Sequence, residues 1–63
     1  MQEIDREQAE WLVASHNVLN RQLKQTSEEL TIFLTLANHQ VCVVTYHLDT
    51  CVKSYFIHTP NEN

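Results

Sequence analysis

Hydrophobic and polar positions divide this chain into two parts of different character. From Leu30 to His58 apolar side chains dominate, and only Asp49 and Lys53 carry charge. Such a stretch belongs out of water, where burial is worth about 25 cal/mol per Å² of apolar surface. It is the core that the first thirty residues must cover.

The spacing predicts a helix over about 5–25. Asp5 followed by Gln8 offers an N-cap pair, and neither Pro nor Gly interrupts the segment. Asp5, Glu7 and Glu10 stand near its start while Arg21 and Lys24 stand near its end, which suits the helix dipole. At 100° per residue Ile4, Trp11 and Val18 make one apolar ridge and Leu12, Leu19 and Leu23 a second, with Gln8, Ser15 and Gln22 between them. Two ridges suit a helix lying between its own core and a second chain. Trp11, Leu12, Val18, Leu19 and Leu23 are therefore the candidate interface, with Trp11 read either as an anchor into the core or as an interface hot spot.

Thr26 to Glu29 reads TSEE, the capping-box pattern, and predicts a second helix over about 27–38 with Leu30, Phe33, Leu34 and Ala37 on one face. A strand competes here, because Leu30, Ile32, Leu34 and Leu36 alternate with Thr31 and Thr35. Phe33 breaks that alternation, so the helix is preferred. The β-branched and aromatic runs at about 41–48, VCVVTYHL, and 52–58, VKSYFIH, predict two strands of a hairpin. Their link contains no Asn-Gly or Asp-Gly, which leaves two short helices as the other reading. The expected fold is α+β, two N-terminal helices plus a C-terminal β-hairpin in a single domain over 1–63, with 59–63 a frayed tail. The alternative is an all-α small helical bundle.

Composition narrows the possible roles. The chain has 63 residues and a net charge of −4, with Lys+Arg 4 against Asp+Glu 8. So few cations disfavour direct binding to a phosphate backbone. The acidic start and the short apolar runs point to neither signal peptide nor membrane span, and with a cysteine count of 2 a reducing cytoplasm is the expected compartment. Gly is 0, which removes phosphate-binding glycine loops and leaves Asn38 and Asp49 as the expected sites of positive φ. A core this small rarely supplies more than about 3–5 kcal/mol without a staple or a partner. A homodimer is expected, formed through the wide face of the first helix, the uncovered side of the hairpin, or both.

Candidate chemistry is sparse. His39, Cys42, His47, Cys51 and His58 are metal-ligand types with a spacing faintly like a zinc knuckle. The hairpin pairs Cys42 with Ile57 and Leu48 with Cys51, setting the two thiols about 20 Å apart along the strands. That separation argues against a shared metal or an internal disulfide. Joining Cys42 or Cys51 to His47 and Asp49 would give a nucleophile set, but a chain of this length has little room for a pocket as well. No catalytic residue, cofactor or metal ligand is assigned.

The whole chain, short, acidic, without glycine and opening MQEIDREQAEWLVASHN, resembles the small accessory proteins of the early region, the exo–xis interval, of lambdoid bacteriophages. The resemblance implies a small protein of the host cytoplasm that modulates phage development or a host process by binding macromolecules. The expected function is a non-enzymatic interaction protein, a phage accessory regulator that binds a host or phage protein as a homodimer. A nucleic-acid-associated regulator and a zinc-stabilised binding module are the alternatives.

Overall fold

In the computed structural model, which describes residues 1–60, a single antiparallel sheet takes up most of the chain. The elements run β1 (Gln2–Ile4), α1 (Arg6–Ser15), β2 (Val18–Gln25), β3 (Glu29–Leu36), β4 (Val41–His47) and β5 (Val52–His58). The strand order is β1-β5-β4-β3-β2. From β2 onward this is a meander, each strand pairing with the next, and β1 closes the far edge against β5. The short helix lies on one face, over β4 and β5.

The first helix starts where the sequence places it. Asp5 caps it, its carboxylate accepting from the Gln8 amide at 2.8 Å while the Asp5 amide donates to Gln8 Oε1 at 3.1 Å. An exposed Arg6–Glu10 pair at 2.9 Å adds an i,i+4 contact, worth only a few tenths of a kcal/mol. The helix then ends at Ser15 instead of running to 25. Ser15, His16 and Asn17 are all weak helix formers, and the strands set a length limit. A helix over 5–25 would reach about 32 Å, whereas strands of seven or eight residues span about 25 Å. As a strand, 18–25 instead pairs with β3 along its length.

The second expected helix, 27–38, is also absent, and with it both the two-helix α+β architecture and the all-α bundle. Thr26 does accept from the Glu29 amide, at 3.1 Å, as a capping box requires. It also accepts from the Glu28 amide at 3.3 Å, and the Thr26 amide donates to the Glu29 carbonyl at 2.8 Å. These bonds close a hairpin turn around Ser27 and Glu28, because a hydroxyl serves a turn as readily as a helix start. The alternation of Leu30, Ile32, Leu34 and Leu36 then decides the element, and β3 is a central strand. The expected hairpin forms as β4 and β5, with Cys42 opposite Ile57.

The turns without glycine are solved differently from the expectation. Positive φ falls on His39 (71°) and Cys51 (60°), not on Asn38 or Asp49. Between β3 and β4 the His39 amide donates to Leu36 O at 3.0 Å and the Leu36 amide to Gln40 O at 2.8 Å, a tight turn followed by a left-handed residue. Between β4 and β5 the Cys51 amide returns to His47 O at 2.8 Å. Asn38 contributes through its side chain, accepting from the Gln40 amide at 3.1 Å. Each left-handed residue with a Cβ costs about 1–2 kcal/mol, a cost the paired strands on either side must offset.

Ala9, Leu36, Cys42 and Ile57 form the core cluster, and Ile4, Leu12, Val13, Leu34, Val44 and Tyr55 pack partly buried around it. Ala9 is the one buried residue of the helix, and its small side chain lets the backbone of α1 approach the sheet. Thr59, placed in the expected frayed tail, accepts at its hydroxyl from Gln40 Nε2 at 3.1 Å in a part-buried contact. Residues 61–63 of that tail lie outside the described residues.

Candidate interaction surface

Side chains alternate across a sheet, so the registers sort every strand residue onto one of two faces. The helix side carries Leu30, Ile32, Leu34 and Leu36 of β3, Cys42, Val44 and Tyr46 of β4, and Tyr55 and Ile57 of β5. Helix α1 covers only the β4–β5 half of this face, leaving two open grooves along its flanks. One, of about 440 Å³, is lined by Ile4, Trp11 and Leu12 with Glu7 and Gln8. The other, of about 330 Å³, runs between Ala9 and Val13 of the helix and Val44 and Tyr55 of the sheet.

The opposite face has no element over it among the described residues. A central row runs Gln22, Phe33, Val43, Phe56, Glu3 across all five strands. Beside it run Lys24, Thr31, Thr45 and Ser54, and beyond them Glu29, His47 and Val52. Glu3, Lys24 and Glu29 are the only charged strand residues on this face. Val43 is only 5% exposed although nothing overlies it, because Phe33 and Phe56 stand on either side on the neighbouring strands. The result is an apolar centre with a polar rim, the composition of a binding surface. His47 Nε2 and Ser54 Oγ, 3.3 Å apart, tie part of that rim together.

Sequence reasoning did not single out Phe33, Val43 and Phe56, although the signal was present. The aromatic at 33, which interrupts the β3 alternation, marks an apolar position on the otherwise polar face of that strand. The five candidate interface residues fall on two elements. Trp11 is 64% exposed on α1, its ring edge-on to His16 with centroids 6.3 Å apart, while Leu12 packs against the core. Val18, Leu19 and Leu23 are exposed on β2. The helical ridges do not exist as such, because α1 ends before Val18.

The His and Cys residues are dispersed. Cys42 is buried beneath the helix and Cys51 exposed in a turn, both as free thiols. His39 sits in the β3–β4 turn, His47 at the far end of β4, and His58 at the end of β5. Among the described residues no three His, Cys, Asp or Glu side chains gather where a metal could be held. Cys51 also holds the Tyr46 phenol above its ordinary pKa by hydrogen bonding and charge, and Lys53 Nζ lies 5.8 Å from the Tyr46 ring centre.

Burial raises the Cys42 thiol pKa, because the thiolate is the form that desolvation penalises. A group whose ionisation is suppressed by folding stabilises fully below its unfolded pKa, and that contribution is lost as pH rises through its folded value. Unfolding midpoints in urea are therefore expected to fall above about pH 9, and less steeply in Cys42→Ala. Near neutral pH, Cys51 should alkylate rapidly and Cys42 only at the rate of opening. Equal reactivity of the two thiols in the native protein would contradict the burial of Cys42.

No helix among the described residues is long and apolar enough to cross a membrane. No family model, no curated protein and no solved structure matches the chain.

Proposed function

We propose that this protein is a non-enzymatic interaction protein that works as a homodimer, a small accessory regulator of the phage type acting in the host cytoplasm on a host or phage protein. The observation that carries the reading is the sheet face centred on Phe33, Val43 and Phe56, which no other element among the described residues covers. Domains bury apolar sheet faces against a second layer. Among the described residues half of one face has its layer and the other face has none. A protein surface supplies the missing layer, and the polar rim of Thr31, Thr45, Ser54 and His47 provides hydrogen-bonding groups around it.

The test is affinity capture from a bacterial host lysate with the wild type beside the double variant Phe33→Gln, Phe56→Gln. Both side chains are only partly buried, so circular dichroism should show the variant folded. A protein retained by the wild type and lost from the variant is the expected result. Identical captures from the two would remove this face from the function.

A further inference from the structure

We infer that β2 is the seam of the homodimer, pairing edge to edge and antiparallel with β2 of a second copy so that two five-stranded sheets become one of ten strands. The inference rests on the homodimer proposed above and locates its interface.

The two edges of the sheet differ. β1 offers three residues, whereas β2 offers eight, every one of them exposed. Unpaired strand edges are normally blunted by shortness, charge, proline, bulges or covering elements. β2 carries Arg21, Lys24 and a bulge near its start, but it is long, has no proline, and is uncovered, and its last five residues form a regular edge. Its outward backbone groups can be identified. The Thr26 amide bonds Glu29 O and the Ala37 amide bonds Asn17 O, and hydrogen-bonded pairs alternate along an antiparallel ladder. Gln22 and Lys24 therefore turn their N–H and C=O toward β3. Val18, Arg21, Leu23 and Gln25 turn theirs outward, with a bulge between Val18 and Asn20.

This edge is self-complementary. Placing the twofold axis at Leu23 sets Leu23 opposite its own copy and Arg21 opposite Gln25 of the second copy. That register engages all three outward residues beyond the bulge on both chains; the Arg21 amide already donates to Asn20 Oδ1 at 2.9 Å, so about four backbone hydrogen bonds form from free amides, and the two Arg21 amides join only by exchanging that partner. It sets Lys24 opposite Gln22, so no like charges face each other directly, and it brings together two leucines that are each 62% exposed in the single chain. An axis at Gln22 engages fewer outward groups, and one at Arg21 opposes two guanidinium groups. The continuous sheet keeps both Phe33–Val43–Phe56 rows on one face, free for a partner.

Sedimentation velocity from low to high micromolar concentration, on wild type and Leu23→Pro, reads the seam. Proline at 23 removes an outward N–H and leaves the β2–β3 ladder intact, so a folded monomer is expected from the variant and a dimer from the wild type. Leu23→Cys in a Cys51→Ser background provides a second reading. Opposed residues of a hydrogen-bonded pair stand about 5.5 Å apart at Cα, within disulfide reach, so mild oxidation should link the dimer covalently while Glu3→Cys on β1 stays unlinked. A wild-type dimer unaffected by Leu23→Pro, or no cross-link at 23, would overturn the seam while leaving the homodimer standing. A wild type monomeric at every concentration would remove both. Species larger than a dimer, cross-linked between Glu3→Cys and Leu23→Cys, would replace the seam with head-to-tail growth.

Discussion

Replacing Leu36 with alanine is expected to destabilise the fold by about 3 kcal/mol and to lower Tm by roughly 15–20 °C for a domain of this size. Leu36 is 0% exposed and belongs to the cluster with Ala9, Cys42 and Ile57, where the helix meets the sheet. Its cavity can collapse little, because the Ala9 methyl is too short to extend into it and the neighbouring strands are fixed by their ladders. A core this small has only about 3–5 kcal/mol in total, so the variant should keep no more than about 2 kcal/mol and populate the unfolded state measurably. Urea unfolding followed by tryptophan fluorescence measures the effect, with Val52→Ala as the reference, since Val52 is 54% exposed and should change stability by under about 0.5 kcal/mol. A loss below about 1 kcal/mol for Leu36→Ala would mean that the helix does not seal this site.

Proline at Gln22 should cost about 1–3 kcal/mol for the ladder bond it removes, and more for the clash of its ring with β3, whereas proline at Leu23, one residue along, should leave the monomer folded. The contrast follows from the ladder. Gln22 is opposite Phe33 in a pair that exchanges both backbone bonds, so proline removes a donor and thrusts its ring toward β3. Leu23 turns its amide to the edge, where strands tolerate proline. Far-ultraviolet circular dichroism and thermal melts of the two variants, at concentrations too low for self-association, separate them. Equal melting temperatures would mean that the registry of β2 on β3 differs from the one described, and the outward set of Arg21, Leu23 and Gln25 would fall with it.

The helical reading of β2 and β3 failed for identifiable reasons. Apart from Val18 and Asn20, the segment 18–25 is built of Leu, Arg, Gln and Lys, good helix formers, and its strand conformation is imposed by the ladder to β3 more than by local preference. At Thr26 the local hydrogen bond to Glu29 was legible, and it forms. What the four residues TSEE cannot specify is whether the chain winds on or doubles back after that bond. The choice at Glu29 depends on Leu30, Ile32 and Leu34 finding Tyr46, Val44 and Cys42 across the next strand, contacts eight to sixteen residues away along the chain.

The candidate surface was legible in part. Trp11, Leu12, Val18, Leu19 and Leu23 stand out in the sequence as the apolar ridges of a supposed long helix; Leu12 packs against the core and the other four are exposed. That they fall on a helix and an edge strand, and that Phe33, Val43 and Phe56 share one row, depends on register. A shift of one residue would have sent each of them to the other face.

By itself the sequence determined the Asp5 cap with Gln8, the Leu30–His58 segment as the source of the core, and the β4–β5 hairpin with Cys42 opposite Ile57. These follow from side-chain chemistry and short-range spacing, which act before any tertiary contact exists. Only the tertiary structure decided that α1 stops at Ser15, that β2 and β3 are strands, that positive φ falls on His39 and Cys51, and that one sheet face is left open. Those outcomes depend on which backbone groups find partners across the sheet, and a hydrogen-bond ladder is a property of two segments together.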